Sequence, residues 1–498
     1  MTGGVRRTLS QAAVYGLGTV LANAAGIVML PIYTRYLTPT DYGLLEYLQM
    51  IVDVVSIIFG ARVFSGVFRV YFDRQDEQHR RTTIFTALLS DLALNTIGAA
   101  VLIAFASPVA SFVIRDENFA EYLIIFSFGL VTMAMTTVPM IYLRALERPW
   151  WFIFVSLSKL LMQVGLNIYF VVQLGWGPRG VIYSTLITGA VVGGGLCIWT
   201  LRRTGWAPSR IIAERLLRFG IPFAIAGIGT FYTTYGDRFF INHFWSLAEV
   251  GVYALGYRFA FALGYLVFGT FNQAWAAQAY QVYREPDGVV TFRRVFVLLS
   301  TMLVVVGTAL SVLAHDFLRI MADPSFLGAA SMVPILVAAI IVRGLGEFCG
   351  FGIRYAEKTK YALQASLLSV AVMTVGYLVL IPPLGGLGAA IATLGGAIVE
   401  ASWSVRISER LVPISFPWRR AILAAMLGAA CYALAEAVAP HDLLWSIMTR
   451  CVLLLVFMLL LYYSPVVGRD ERRAIGSTVT IAMSKVRAKH ARRGSAGR

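Results

Sequence analysis

Thr38-Pro39-Thr40-Asp41-Tyr42-Gly43 and, 208 residues later, Ser246-Leu247-Ala248-Glu249-Val250-Gly251 are two versions of one phrase. Each sets a hydroxyl residue three positions before a carboxylate, the capping-box spacing that ties off the first free N–H groups of a helix. Each adds a glycine two residues further on and opens a long apolar run. The same offset of 208 relates Arg7-x-Leu9 to Arg215-x-Leu217, and Gly177, Gly180, Thr185 and Leu186 to Gly385, Gly388, Thr393 and Leu394. An offset of 210 relates Arg144, Glu147 and Arg148 to Arg354, Glu357 and Lys358. Several matches in one register indicate an internal duplication.

The repeated unit is a membrane unit. Of 498 residues, 58% are apolar and 14% are charged, against about 45–50% and about 25% in soluble domains. The mean hydropathy is +0.73. These values exclude a disordered chain and argue against a soluble multidomain enzyme. Apolar runs long enough to cross a bilayer occur fourteen times, from 10–34 and 42–68 through 219–242 and 249–273 to 421–439 and 445–465. The expected fold is therefore all-α and integral to the membrane, with two parallel six-helix repeats and two extra C-terminal helices. In that division residues 1–218 form an N-lobe with its linking loop, 219–410 a C-lobe, 411–465 the last two spans and 466–498 a basic tail. Six being even, both repeats enter the membrane in the same direction and are related by an axis along its normal. Two such lobes around a cleft make an alternating-access plan.

The charge fits this arrangement. With the N-terminus inside, 32 of the 42 basic residues fall in inner loops and tails, 4 in outer loops and 6 within spans. That bias predicts cytoplasmic termini and accounts for the net charge of +16 without nucleic acid as a partner. In the tail, Ile475, Val479, Met483 and Val486 recur at helical spacing beside Lys485, Arg487, Lys489, Arg492 and Arg493. This stretch reads either as an interfacial helix on the anionic inner leaflet or as a solvated tail that enforces topology. The first span follows Arg6 and Arg7 but is longer than a signal peptide, so a retained helix is expected. Cys197, Cys349, Cys431 and Cys451 lie singly in apolar runs and read as small core residues.

The run Leu30-Pro31-Ile32-Tyr33-Thr34-Arg35-Tyr36-Leu37, followed by Thr40-Asp41-Tyr42-Gly43, resembles the opening signature of polysaccharide-transport flippases. So do Leu217-Arg218-Phe219-Gly220-Ile221-Pro222, Asp237-Arg238 and Val250-Gly251-Val252-Tyr253. With the span plan, the resemblance covers nearly the whole chain. It implies the MOP superfamily, which includes Wzx-type oligosaccharide flippases, MurJ lipid II flippases and MATE drug exporters. Such flippases move undecaprenyl-pyrophosphate-linked sugars, the repeat units of O-antigen, capsule or exopolysaccharide, from the inner to the outer leaflet of the bacterial cytoplasmic membrane. The implied partners are the lipid-linked oligosaccharide, membrane lipids and polysaccharide polymerase or export proteins.

An anionic sugar-lipid head needs a cavity with cations, and ionisable groups inside spans are functional candidates by default. Arg62 and Arg258 are the leading candidates for the pyrophosphate, since an Arg fork matches phosphate oxygens at any relevant pH. The resemblance adds that similar flippases place arginines in the corresponding spans. Snorkelling to headgroups is the competing reading for both. Arg343 has Glu347 one helical turn away, so it reads as an i,i+4 ion pair as well as a cargo contact. Asp53, Asp91, Asp237 and Glu347 are candidates for ion coupling, because burial disfavours the charged form of a carboxyl; each equally suits neutralising a nearby arginine. Lys159, Glu400 and Glu436 rank lower. Tyr235 and Tyr257, with Tyr232 and Trp275, suit sugar stacking or packing. Gly189-x-x-x-Gly193 reads as close helix packing.

Neither a Gly-Lys dipeptide nor HExxH occurs in the sequence, so ATP hydrolysis by a P-loop and zincin chemistry are excluded on this chain. No cofactor or metal is expected. The leading reading is a secondary-type flippase driven by an ion gradient or the membrane potential. The alternatives are a MATE-like drug/cation antiporter, a lipid II-type flippase and, less well supported, a membrane polysaccharide polymerase.

Overall fold

The computed structural model describes residues 29–60, 62–113, 118–438, 440, 442–466 and 468. Among them every regular element is helical. Twelve helices are long and apolar enough to span a membrane, and they coincide with twelve of the expected segments. The first expected span lies largely outside the described residues, as does the basic helix of the tail. The seventh lies within a 35-residue helix, Arg210–Phe244, which is not among the twelve. Of the fourteen expected spans, twelve thus correspond to apolar helices and the seventh to Arg210–Phe244, so the described residues show thirteen and not fourteen.

Local chemistry accounts for several helix starts. Thr38 makes the full capping box: its hydroxyl accepts from Asp41 N at 3.2 Å, and Asp41 Oδ2 accepts from Thr38 N at 3.0 Å. Asp76 and Asp442 cap Glu77–Ala104 and Leu443–Tyr463 with their side chains alone, without the returning bond of a box. The second box closes only halfway. Glu249 N donates to Ser246 Oγ at 3.2 Å, but the Glu249 carboxylate accepts from Gly386 N at 2.9 Å instead of turning back.

The expected second span, 42–68, is not one helix. Pro39–Phe59 ends at Gly60, Arg62 adopts a left-handed conformation with φ 45°, and a short 3₁₀ turn leads into Val67–Tyr71. A Cβ on Gly60 would lie 3.1 Å from Asn95 Nδ2, so the chain breaks where it passes a polar side chain of the next helix.

The duplication recurs in the backbone. Glu147 and Glu357, 210 residues apart, both take positive φ, 52° and 56°. Around them Arg148 N donates to Leu143 O at 3.1 Å and Lys358 N to Ile353 O at 3.0 Å, the same helix-closing turn twice. Gly177 and Gly385, 208 apart, repeat a second left-handed position at 54° and 57°.

The chain forms two compact units. The first contains the described residues of Met1–Arg258, Leu318–Met332 and Ser369–Gly396. Val63, Val67, Ile84, Leu88, Val138 and Leu216 form one of its cores. Gly189 and Gly193 sit against Thr132 and Thr136, where a Cβ would come within 2.7 and 2.8 Å of the hydroxyls, so this pair does mark close helix packing. In a connecting loop, Arg215 donates to Asp73 at 2.9 Å, and that hydrogen bond holds the Asp73 carboxyl below its ordinary range.

The second unit comprises Phe259–Phe317, Val333–Leu368 and Ala397–Arg498. Here Val304 and Val312 pack with Ala424, Ala435, Leu454 and Phe457 of the last two helices. The opposite face of Leu443–Tyr463 leaves Trp445, Val452, Leu455 and Leu459 more than half exposed, a stripe suited to lipid rather than water. Cys451 is on the exposed side, unlike the three buried cysteines.

An ionic network in the second unit joins two buried residues, Arg450 and Asp316, to the exposed Glu436. Arg450, only 2% exposed, reaches Asp316 at 3.5 Å and Glu436 at 3.1 Å, and donates to Val312 O at 2.6 Å. Ser446 donates to Asp316 at 2.9 Å. Removing one member strands a buried charge, at about 3–5 kcal/mol. Arg450→Ala is therefore expected to lower the thermal unfolding temperature of the detergent-solubilised protein. Replacing Arg450, Asp316 and Glu436 together by Met, Leu and Leu should recover most of it. Failure of the apolar triple to recover stability would show that the network does more than pin the last helices.

Candidate functional site

Pro39–Phe59, Arg210–Phe244 and the part of Leu247–Leu263 up to Arg258 converge in the first unit on four charged side chains. Glu46 lies eight residues inside its helix, about 12 Å from the cap at 1.5 Å per residue. Its Oε1 accepts from Arg258 Nη2 at 2.5 Å and Nε at 3.2 Å. Arg238 Nε approaches Glu46 Oε2 at 3.8 Å. Arg238 also donates from Nη1 to Asp237 Oδ1 and Thr234 O, both at 2.9 Å. Tyr253 Oη donates to the other Asp237 oxygen at 2.6 Å.

Aromatic rings wall the cluster. The Arg238 guanidinium stands 4.9 Å from the ring centres of both Tyr235 and Tyr257, and Arg258 stands 5.4 Å from that of Tyr42. Cations over aromatic faces gain from the ring quadrupole, most of all away from water. The cluster balances formally, with two arginines against two carboxylates.

At the same end of these helices the two repeated phrases come into contact. A Cβ on Gly43 would collide with Leu247 O and lie 3.0 Å from Gly251 N. One on Gly251 would collide with Pro39 O and lie 2.9 Å from Gly43 N. The glycines of the two repeated phrases thus meet backbone to backbone, an approach no other residue allows. Beside them Thr34 donates to Met321 O at 2.9 Å, Asp323 N to Thr34 O at 3.1 Å and Arg35 to Ile320 O at 2.9 Å. Trp245 Nε1 donates to Ile381 O at 2.9 Å. Tyr42 meets Phe326 edge to face.

The sequence candidates divide among several places. Arg258, Asp237, Tyr235 and Tyr257 join in the cluster. Glu46, Arg238, Tyr253 and Tyr42 complete it without standing among the candidates, although the rule for ionisable groups in spans applies to Glu46 and Arg238. Arg62 lies elsewhere in the first unit, at its left-handed position. Its guanidinium passes Gly227 so closely that a Cβ there would lie 2.9 Å from Nε. Its side chain makes no hydrogen bond or ion pair among the described residues, and left-handed non-glycine residues cluster at functional sites. Asp53 accepts from Gln49 at 2.8 Å. Asp91, 3% exposed, accepts from Asn95 at 3.2 Å. Tyr232 bonds to Thr374.

In the second unit the expected Arg343–Glu347 pair does not form. Arg343 faces Glu400 at 4.0 Å, whereas Glu347 accepts from Asn272 at 2.8 Å. A partner from a neighbouring helix takes precedence over the one a turn away. Trp275 stacks on Phe271 and Phe348 as packing.

Residues 32–331 match the model of a family described as polysaccharide biosynthesis protein. No curated protein matches the sequence. Among solved structures, the chain is similar to the lipid II flippase MurJ in an inward closed conformation. The two are 12% identical with a TM-score of 0.69, over 90% of this chain and 99% of that one. It is also similar to an inward-facing multidrug resistance MATE family transporter of the MOP superfamily, at 16% identity and a TM-score of 0.61, over 79% and 94%. A MOP superfamily transporter from Pyrococcus furiosus matches at 15% identity and a TM-score of 0.57, over 82% and 96%. At these identities the likeness is one of fold.

Proposed function

We propose, given that the chain belongs to the polysaccharide biosynthesis protein family, that it flips lipid-linked oligosaccharide across a bacterial cytoplasmic membrane. The cargo is an undecaprenyl-pyrophosphate carrying an O-antigen, capsule or exopolysaccharide repeat unit, taken from the cytoplasmic leaflet and released outside. It then passes to a polymerase or export protein. In this reading residues 1–218 and 219–410 are two lobes that rock about their pseudo-twofold axis, with 411–465 appended and both termini cytoplasmic. In the same reading, the bias of basic loops supports an outward-facing position for the glycine contact, which would then shut the outer exit.

The observation that carries the reading is the pairing of Glu46, from the first repeat, with Arg258 and Arg238 from the second. An anion competing for those arginines loosens a bond between the lobes, so cargo binding and opening of the exit become one event. The energy source is an ion gradient or the membrane potential. Asp53 and Asp91 are the carboxylates placed to couple it, since neither pairs with a cation among the described residues.

Arg62 is the first cation that an entering pyrophosphate meets in this scheme. Arg62→Ala is expected to reduce surface polysaccharide at least about tenfold, a loss of one charge-assisted phosphate contact, while the protein inserts at normal levels. Arg62→Lys should keep part of the activity. Complementation of a deletion strain with each variant, alongside an assay of which leaflet holds the lipid-linked oligosaccharide, reads both. Wild-type export by Arg62→Ala would remove it from the site. A deletion strain whose lipid-linked oligosaccharide still reaches the outer leaflet would overturn the flippase assignment itself.

A further inference from the structure

A cavity of about 780 Å³ opens in the second unit around the end of Gly386–Leu411. One wall is apolar, with Val342, Leu345, Ile398 and Val405, of which Leu345 is buried and Ile398 is about half exposed. Its rim carries Arg406 and Arg410, one helical turn apart, with Glu409 and Trp418. Neither arginine makes an ion pair or a side-chain hydrogen bond among the described residues. Both belong to the basic set that the loop bias assigns to the cytoplasmic side.

We propose that this cavity is a resident site for an anionic phospholipid of the inner leaflet, bound through its phosphodiester. Two guanidinium forks a turn apart can grip one phosphate from adjacent sides. From Arg406 down to Ile398 is eight residues, about 12 Å of helix, and that wall accepts the upper part of an acyl chain. Trp418 at the rim belongs at headgroup depth, where tryptophan concentrates. Glu409 brings the formal charge of the rim to +1. That balance suits a phosphodiester with one negative charge better than the crowded charge of a pyrophosphate, and it separates this site from the cargo. Basic residues that only set topology need neither a shared cavity nor an apolar wall behind them. The site is independent of the transport reading: it concerns what the protein holds while it works or idles.

The test uses the delipidated full chain in detergent, with bound lipid counted by native mass spectrometry. Four probes are titrated: a phosphatidylglycerol, a phosphatidylcholine, inorganic phosphate and a polyprenyl pyrophosphate. One phosphatidylglycerol should bind about tenfold more tightly to the wild type than to R406Q/R410Q, with phosphatidylcholine, whose choline offsets its phosphodiester charge, showing a smaller difference and inorganic phosphate none. Ile398→Trp keeps both charges but fills the wall, and it should weaken the lipid to a similar degree. Equal phosphatidylglycerol binding by wild type and R406Q/R410Q overturns the site. Full competition by inorganic phosphate overturns the lipid assignment, and a larger loss for polyprenyl pyrophosphate than for phosphatidylglycerol overturns the phosphodiester assignment.

Discussion

Gly43→Ala is expected to abolish export while leaving membrane insertion intact. The added methyl has nowhere to go. It faces the carbonyl of Leu247 and the amide of Gly251, one turn apart on the same helix, and both are helix backbone that cannot rotate away. Overpacking of this kind costs up to about 3 kcal/mol, which corresponds to roughly 100-fold in the ratio of sealed to open exit. Gly251→Ala should behave alike, because its methyl would strike Pro39 O in the mirrored position. Gly129→Ala is the control: nothing lies within 4 Å of its Cβ position, and the change should be silent. A cysteine replacing Thr34, which is buried at the seal, provides a second readout. It should resist a membrane-impermeant thiol reagent in the otherwise unaltered protein and react once Gly43→Ala is added. Normal export by Gly43→Ala would mean that closing this end is not part of the cycle.

The repeated phrase by itself puts Gly43 and Gly251 at matching positions. That they meet is not legible in it, since sequence periodicity says nothing about which helix ends touch. The same division runs through the rest of the molecule. Apolar runs in the sequence locate the twelve apolar spans and also the run 219–242 that lies inside Arg210–Phe244. The break at Gly60–Arg62 is hidden because the apolar run continues through it; only packing against Asn95 explains why the helix stops. Glu249 carries the spacing of a capping box but spends its carboxylate on Gly386 N, a partner 137 residues away. Arg343 likewise passes over the glutamate one turn along for Glu400. Local rules correctly describe what a side chain can do, and tertiary competition then decides what it does. Glu46 is masked by the cap of its own helix, although a carboxylate two turns inside a span demands a cation.

That cation is Arg258, and the pair allows its two possible roles to be separated. Glu46→Gln removes the latch but leaves Arg258 free for an anion, whereas Arg258→Gln removes both latch and anion site. Losing one partner of a close, largely buried charge pair costs about 2–5 kcal/mol. Glu46 is 11% exposed and Arg258 35%, so water at the arginine places the expected loss at the lower end, about 2 kcal/mol or roughly 30-fold in closure. Both single variants should therefore make the cysteine at position 34 reactive. Export should fall modestly in Glu46→Gln and by more than about 100-fold in Arg258→Gln, where the phosphate contact is lost as well. The decisive variant is the exchange, Glu46→Arg with Arg258→Glu. Opposite charges again face each other across the repeats, and Arg238 remains tied to Asp237 at 2.9 Å, so protection at position 34 should return. Export should not, because a carboxylate now stands where the second repeat presented an arginine to the cargo. If the exchange restores polysaccharide at the cell surface, Arg258 serves as a latch alone and the pyrophosphate is held elsewhere. Protection without export leaves a sealed exit that its cargo can no longer open, which is the result expected if one arginine both holds the exit shut and recognises what must pass through it.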